Sequence, residues 1–235
     1  MKINKKLFIS FSVITVICIT AAALLYFGIT QINHPPKDKY PIRGVDVSEY
    51  QGDIDWSVLS NQDIDFAFIK ATEGSSYTDE NFSENWENAS KTDLRIGAYH
   101  FFSLESSGKS QAEHFCDTVQ GVPNMLPPVV DVEPYGEYTD IGEENISELN
   151  TWIDIVEENY GIRPIIYTTN KWYGKLFGDN APNCGIWIRS VYSKPQKDID
   201  WIFWQYSNRM RLDGYDGEEK YIDMNVFYGS EEEFD

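Results

Sequence analysis

The first thirty residues carry the longest apolar stretch of the chain. Three lysines precede it, and residues 7–29 contain no charged side chain. A helix of about 20 apolar residues spans the hydrocarbon core of a bilayer, and basic flanks favour the cytoplasmic side. The pattern predicts a cytoplasmic stub and a single transmembrane helix within residues 1–30, with the rest of the chain outside the cell. A cleaved signal peptide, and so a secreted protein, is the alternative, since residues 21–23 are small enough for cleavage.

The next segment, residues 31–41, has a different composition from both of its neighbours. It contains two adjacent prolines and charges of both signs, which predicts a short linker between the membrane and a folded domain. The remaining residues, 42–235, are about as many as one domain with a single hydrophobic core contains.

Within residues 42–235, short β-branched or aromatic runs alternate with helical patterns. Five predicted strands, each followed by a predicted helix, lie at residues 42–48, 66–70, 95–102, 127–133 and 164–168. Three further strands, at 186–189, 202–206 and 222–226, are separated by segments without a helical pattern. Alternation predicts a parallel sheet, and eight strands in one core predict a closed barrel. The predicted fold class is α/β: an irregular TIM-like barrel of five β/α units followed by three β-strands.

The fourth predicted strand ends in two carboxylates. A β-branched run makes residues 127–133 a buried strand, and Pro134 ends it. Side chains on a strand alternate, so Asp131 and Glu133 point to the same side, with Cβ atoms roughly 6–7 Å apart. Two carboxylates at that separation beside an apolar wall do not both ionise easily, so one keeps its proton. A protonated acid next to a charged carboxylate is the usual requirement for glycoside hydrolysis.

Polar side chains also occur at the ends of other predicted strands. In barrels of this class, functional groups lie at the carboxyl ends of the strands. The residues at these ends, together with one acid in the last strand, are Asp46, Tyr99, His100, Asp131, Glu133, Tyr167, Trp204, Gln205 and Asp223. We expect these side chains to converge on one cleft. His100 is expected to be a hydrogen-bonded supporting residue, because no metal-binding motif surrounds it.

Composition narrows the classes of function. The net charge of −19 argues against a nucleic acid partner, because phosphate backbones bind cationic surfaces. An aromatic content of 15% suits a sugar cleft, since flat rings pack on sugar faces. The sequence has neither a C-x-x-C nor an H-E-x-x-H motif, so we expect no metal site. Pairing of Cys116 with Cys184 outside the cell stays open, because sequence does not show whether the two residues meet.

Seven stretches, in chain order, carry a resemblance to a known family. They are Gly44–Ser48 with Gln51 and Gly52, Phe68–Gly74, Gly97–Phe101, Asp131–Glu133, Ile166–Thr168, Trp204–Tyr206 and Asp223–Phe227. In these stretches the chain resembles glycoside hydrolase family 25, the Chalaropsis-type lysozymes, over about residues 43–227. The resemblance implies a barrel of five β/α units and three strands. It also implies cleavage of the β-1,4 bond between N-acetylmuramic acid and N-acetylglucosamine in peptidoglycan, for wall remodelling or lysis. We expect glycan strands as the partner, no cofactor, and a monomer.

The resemblance also implies roles for single residues. Glu133 matches the general acid that protonates the leaving glycosidic oxygen. Asp131 matches a second acid, which would orient the 2-acetamido group if the substrate assists its own cleavage. Asp46 and Asp223 match two further acids, expected to hold a water or the sugar and to raise the pKa of Glu133. The expected substrate-binding residues are Tyr99, Tyr167, Trp204 and Gln205. Whether an enzyme carboxylate, the acetamide or water attacks stays open.

One departure from the family and two alternative functions accompany this interpretation. Arg189 and Ser190 stand where family members commonly have a small residue, so a sugar subsite is expected to differ there. A hydrolase of another N-acetyl amino-sugar polymer is one alternative, but the chitinase pattern D-x-x-D-x-D-x-E is incomplete, with Leu126 and Val129 at two of its acid positions. A wall-binding protein without catalysis is the other, and the presence of all four acids argues against it.

Overall fold

The computed structural model of the chain describes residues 5–26, 30, 32–133, 135–138, 140–178 and 183–234. The helices are α1 Lys5–Tyr26, α2 Trp56–Leu59, α3 Phe82–Ala89, α4 Gly108–Thr118, α5 Glu143–Tyr160, α6 Asn170–Phe177 and α7 Glu231–Phe234. The strands are β1 Arg43–Val47, β2 Phe66–Glu73, β3 Tyr77–Thr78, β4 Arg95–Phe101, β5 Val129–Asp131, β6 Ile165–Thr169, β7 Ile186–Arg189, β8 Phe203–Met210 and β9 Ile222–Phe227.

Eight of these strands close into a barrel, as the sequence pattern predicts. The order around the barrel is β1-β9-β8-β7-β6-β5-β4-β2, and β1 pairs with β2 to close it. Five β/α units come first and three strands follow. Neighbours from β1 round to β8 are parallel, whereas β9 runs antiparallel to both β8 and β1. The two-residue strand β3, which pairs with the end of β2, was not predicted because it is too short to show a pattern.

Strand alternation divides the apolar side chains into two layers. In β2, Phe66 and Phe68 belong to the barrel interior, whereas Ala67 and Ile69 pack in the outer layer with the helices. The interior is small and mostly aromatic, and the larger outer layer contains the buried faces of the helices. The helix α5 contributes to that layer the side chains Leu149, Trp152, Ile153 and Val156. The helix ends at Gly161, whose φ of 71° is the left-handed conformation that glycine adopts without strain.

His100 lies in the outer layer, away from the barrel interior. Its Nδ1 lies 2.7 Å from Thr72 Oγ1, and its Nε2 lies 3.0 Å from Gln111 Oε1. Its ring stacks on Trp152, with 5.4 Å between ring centroids. Burial lowers the pKa of His100 to about 3, so the ring stays neutral near pH 7. His100 therefore holds strand and helix together as a neutral hydrogen-bonding group.

The N-terminal helix α1 is apolar and mostly exposed over residues 9–26. The mean hydropathy of Ile9–Tyr26 is 2.2, and by length and composition this helix is able to cross a membrane. The segment that was predicted to be a linker lies against the barrel. Asn33 is buried and donates from Nδ2 to the carbonyl oxygens of Ser190 (2.9 Å) and Ser193 (3.1 Å). The entry of the chain into the barrel is thereby fixed by specific contacts.

The two cysteines of the barrel are free thiols in the structure. Cys116 lies on α4, and Cys184 lies in the loop before β7. Burial raises the pKa of Cys116 to about 11 and also raises the pKa of Cys184. A thiol with a raised pKa is a poor nucleophile, so these side chains act as packing groups.

Candidate active site

A polar cleft of about 580 Å³ opens at the end of the barrel where the parallel strands finish. This is the end at which barrels of this class bind and transform their substrates. Its lining includes Asp46, Tyr99, Asp131, Glu133, Tyr167, Trp187, Arg189, Gln205 and Asp223. Seven of the eight residues that the sequence predicted for catalysis or substrate binding are therefore brought together, and the exception is Trp204.

The strand β5 and the residues after it position Asp131 and Glu133. Val130 and Val132 are buried in the outer layer, which leaves the other face of the strand to the two acids. Beyond the last paired residue of β5, the backbone stays fixed because Val132 N–H donates to the carbonyl of Tyr167 (2.9 Å). Both carboxyl groups consequently line the same cleft, as the alternation predicts.

An amide side chain joins the acids of the opposite wall. Gln205 Nε2 donates to Asp46 Oδ2 (3.0 Å) and to Asp223 Oδ2 (2.8 Å). Tyr167 donates its hydroxyl proton to Gln205 Oε1 (3.0 Å), which fixes which end of the amide faces the carboxylates. Asp46 and Asp223 are paired residues of β1 and β9. Because β9 runs antiparallel, its beginning lies where the other strands end, and Asp223 reaches the cleft.

A second amide supports Asp46 from inside the barrel. Asn225 Nδ2 donates to Asp46 Oδ2 (2.7 Å), and Trp187 Nε1 donates to Asn225 Oδ1 (2.8 Å). Asn225 is fully buried and Trp187 nearly so. A buried amide that is satisfied at both ends holds its partner rigidly. Sequence reasoning did not single out either residue.

On the β5 side of the cleft, burial is the main cause of the raised pKa values of the two carboxyl groups. It raises the pKa of Asp131 well above the ordinary range, and the charges of Glu133 and Asp46 raise it further. Burial also raises the pKa of Glu133, with the charge of Asp46 adding to the effect and Arg189 opposing it. Asp131 is 7% exposed, and its Oδ1 has no hydrogen-bond partner among the described residues. The β5 side thus holds a protonated carboxyl group at a pH where an exposed one is ionised.

The two acids of the opposite wall also have raised pKa values, although they accept more hydrogen bonds. Burial raises the pKa of Asp46 to about 6, against the hydrogen bonds from Asn225 and Gln205 that favour its charged form. Burial and the charge of Asp46 raise the pKa of Asp223 well above its ordinary value. These four carboxyl groups therefore keep their protons to a higher pH than exposed ones do, and their different environments separate protonated acids from charged carboxylates.

Arg189 is a cation that faces these acids, and Arg209 and Lys220 line the same cleft. Arg189 ends β7 and lines the cleft, and its guanidinium interacts electrostatically with Tyr167, Glu133, Asp223 and Asp46. The sequence interpretation treated this residue only as a departure from a family pattern. Its position at the end of a barrel strand, the criterion that selected the other candidates, was a signal that it belongs to the site.

The prediction that Trp204 lines the substrate cleft was wrong. Its side chain is 2% exposed and lies in the outer layer, where Nε1 donates to the carbonyl of Ser190 (3.0 Å). Tyr40 and Trp201 pack against it there. The physical reason is strand alternation: because Gln205 faces the cleft, its neighbour Trp204 faces away.

Fold and site together define a glycoside hydrolase: a barrel whose open end presents paired carboxyl groups with raised pKa values. The sequence profile of glycosyl hydrolases family 25 matches residues 45–215, and the chain belongs to that family. It is 34% identical to lysozyme M1 of Streptomyces globisporus over 210 residues, which cover 83% of this chain and 70% of the relative.

Two solved structures show the same fold. A family 25 glycosyl hydrolase from Bacillus anthracis superposes with a TM-score of 0.79 and 51% identity, covering 86% of this chain and 95% of that one. A lysozyme from Streptomyces coelicolor superposes with a TM-score of 0.73 and 32% identity, covering 82% and 94%. These likenesses extend over the barrel as a whole.

Proposed function

We propose that this protein is a lysozyme that hydrolyses peptidoglycan at the β-1,4 bond between N-acetylmuramic acid and N-acetylglucosamine. The observation that carries the proposal is the cleft itself: four carboxyl groups with raised pKa values converge at the open end of a family 25 barrel. The relatives named lysozyme support the same substrate class.

Glu133 is the general acid in this proposal. It stands half-buried at the cleft wall, where burial raises its pKa and keeps the carboxyl proton in place. Transfer of that proton to the glycosidic oxygen lets the bond to the anomeric carbon break and leaves the leaving sugar with a neutral hydroxyl. Proton transfer of this kind contributes about 10²–10⁴-fold to a rate.

Asp131 is the residue that orients the acetamide of the sugar being cleaved. Its Oδ1 lacks a hydrogen-bond partner among the described residues and is therefore free to accept from the acetamide N–H. Such a hydrogen bond favours the charged form of the carboxylate and turns the acetamide carbonyl oxygen toward the anomeric carbon. Substrate-assisted attack follows from this arrangement, and attack by an enzyme carboxylate is the alternative route.

Asp46 stabilises the positive charge that develops at the anomeric carbon, and Asp223, whose raised pKa keeps its proton, binds the sugar beside it. Gln205 and Asn225 hold the Asp46 carboxylate in place before substrate arrives, so no reorganisation is needed during the reaction. Tyr99 and Tyr167 line the cleft and offer ring faces and hydroxyl groups to the sugars. Trp204 has no part in this proposal because it faces the outer layer.

The proposal places the barrel outside the cell, held at the membrane by α1. Its support is the length and apolar character of the helix and the contacts that fix residues 32–41 to the barrel. A cleaved signal peptide would have the same length and apolar character. The intact mass of the protein from membranes distinguishes the two, because cleavage after residues 21–23 would remove more than 2 kDa.

The test of the activity uses the full chain in detergent micelles with purified peptidoglycan. Released fragments are reduced with borohydride and identified by mass spectrometry. Muramitol ends, present with the native chain and absent with Glu133→Gln, are the expected result. Glucosaminitol ends would show that a different bond is cut. A complete lack of new reducing ends would contradict hydrolysis and favour a wall-binding protein.

A further inference from the structure

Arg189 occupies the middle of the cleft wall. In β7, Trp187 belongs to the barrel interior and Ile188 to the outer layer, so alternation turns Arg189 inward, one layer above Trp187. Its register partners are Thr169 on β6 and Gln205 on β8. The guanidinium therefore stands between the side of the cleft that carries Glu133 and the side that carries the two other acids.

The guanidinium interacts with the acids of the cleft at a distance, but it contacts none of the described residues through an ion pair or a hydrogen bond. Within the part of the chain that the structure describes, Arg189 is in no ion pair within 4.0 Å and donates no hydrogen bond. Six carboxyl groups line its cleft, those of Asp46, Asp131, Glu133, Glu218, Glu219 and Asp223. A purely structural arginine would be expected to pair with one of them. Its five N–H donors instead remain available at a half-buried position of the site.

We propose that Arg189 is a specificity-determining residue that binds the acyl oxygen of the lactyl group on N-acetylmuramic acid. The inference rests on the proposed function, since it assigns a substrate group to the same cleft. A guanidinium presents parallel donors that match a carboxylate or a carbonyl oxygen better than a hydroxyl group. The lactyl group is what distinguishes N-acetylmuramic acid from N-acetylglucosamine, so a residue that binds it discriminates between the two sugars.

The geometry of one sugar ring connects Arg189 to the proposed role of Asp131. The acetamide and the lactyl group leave neighbouring carbons of the same ring. A sugar with its acetamide at Asp131, on β5, presents its lactyl group to a nearby part of the wall. Arg189 lies there, since β7 is two strands away from β5 in the barrel order. A small residue at this position would leave the same space without a donor.

The acyl oxygen has two chemical sources. In peptide-bearing wall the lactyl group is an amide and offers a neutral carbonyl oxygen. After an amidase has removed the stem peptide, the lactyl group is a carboxylate and forms a charge-assisted pair with the guanidinium. Charge-assisted hydrogen bonds are roughly twice as strong as neutral ones.

The inference is tested by measuring ligand binding to a variant that cannot cleave the ligand. The full-length Glu133→Gln protein is compared with the double variants that add Arg189→Ala or Arg189→Lys, each checked for an unchanged melting temperature. Calorimetry measures the Kd of three tetrasaccharides: chitotetraose, peptide-free alternating N-acetylglucosamine and N-acetylmuramic acid, and the same glycan carrying L-alanyl amides. Chitotetraose is the matched control, because its backbone is the same and it has no lactyl group.

The expected result is selective. Arg189→Ala weakens binding of the muramyl ligands by about 10–100-fold and changes the Kd of chitotetraose less than about twofold. Arg189→Lys restores part of the loss, since it keeps the charge without the planar donors. A larger loss for the peptide-free glycan identifies the carboxylate as the ligand, and equal losses for both muramyl ligands identify the carbonyl oxygen.

Two results would overturn the inference: an equal loss for chitotetraose and the muramyl ligands, or no loss for either. The outcome is separable from that of the proposed function. Product analysis uses the chain with Glu133 intact, so a lysozyme that forms muramitol ends but shows no Arg189-dependent selectivity would contradict the inference alone. Lactyl-dependent binding without any cleavage would contradict the hydrolase proposal alone.

Discussion

The two ends of the barrel are built from the same strands but from opposite chemistry. At the end where the parallel strands begin, aromatic rings fill the interior. Phe66 packs against Phe203 and Phe234 with centroid distances of 5.1 and 5.7 Å. Gln205 follows Phe203 by two residues on β8 and lies on the same face, where it donates hydrogen bonds to two carboxylates. A step of about 7 Å along one strand separates a closed apolar end from an open charged one.

This difference separates stability from function within one molecule. Burial of the rings stabilises the fold, since each large aromatic side chain removes about 150–250 Å² from water. Burial of the carboxyl groups has the opposite effect, because desolvation disfavours their charged forms and raises their pKa values. Residues at the closed end therefore control whether the protein folds, and residues at the open end control what it does.

The largest effect is expected from removal of the proton donor at the open end. Glu133→Gln lowers kcat by about 10²–10⁴-fold, because a glutamine has no proton to give to the leaving oxygen. The melting temperature does not fall, since Glu133 makes no hydrogen bond or ion pair with the described residues. Initial rates of reducing-end release and thermal unfolding measure the two effects. Glu137→Gln is the matched control, because Glu137 is exposed on the same loop, and its rate should stay within about twofold.

Removal of a ring at the closed end is expected to give the complementary result. Phe66→Ala destabilises the protein by about 3–5 kcal/mol, because Phe66 is fully buried and its loss leaves a cavity among other rings. Denaturant unfolding measures the change in free energy, with Phe66→Leu as a control that should cost less. Activity per folded molecule stays near that of the native chain. A large loss of kcat in fully folded Phe66→Ala would break the separation between the two ends.

A smaller effect is expected from neutralising an acid at the open end. Burial raises the pKa of Asp223, so the folded protein keeps its proton to a higher pH than the unfolded chain does. The native chain consequently loses stability as pH rises from about 4 through that raised pKa. Asp223→Asn removes this loss and can still accept from Gln205. We expect the variant to be more stable than the native chain at pH 7 and equal to it at pH 4.

Denaturant unfolding at the two pH values checks this prediction. Asp216→Asn serves as the control, since it makes the same change of charge at an exposed position. A native chain that is more stable than Asp223→Asn at pH 7 would mean that the ionised carboxylate stabilises the fold.

The sequence predicted most of the fold because the barrel depends on local patterns. The valines around Asp131 fill one face of β5 and leave only the other face to the acids. The same alternation would have excluded Trp204, since its neighbour Gln205 was also a candidate and adjacent side chains on a strand face opposite ways. That error came from selecting residues by their nearness to a strand end without assigning them to a face.

Other features depend on contacts between distant parts of the chain. The hydrogen bond between Trp187 and Asn225 requires knowing which residues of β7 and β9 face each other across a closed barrel. The docking of Asn33 depends on carbonyl groups more than 150 positions away, which the composition of a proline-containing segment does not reveal. Arg189 was visible in the sequence, but only the three-dimensional structure shows that no described residue pairs with it.

The pH dependence of kcat/KM on a soluble glycan oligosaccharide tests the central claim most directly, because it reports the ionisation of groups in the free enzyme. The account predicts a bell-shaped profile. Its alkaline limb, where Glu133 loses its proton, lies above the pKa of about 4.3 that an ordinary glutamate has, because burial and the charge of Asp46 raise the pKa of Glu133. A kcat/KM that rises steadily with pH through this range would make the essential carboxyl group a base and would contradict the account.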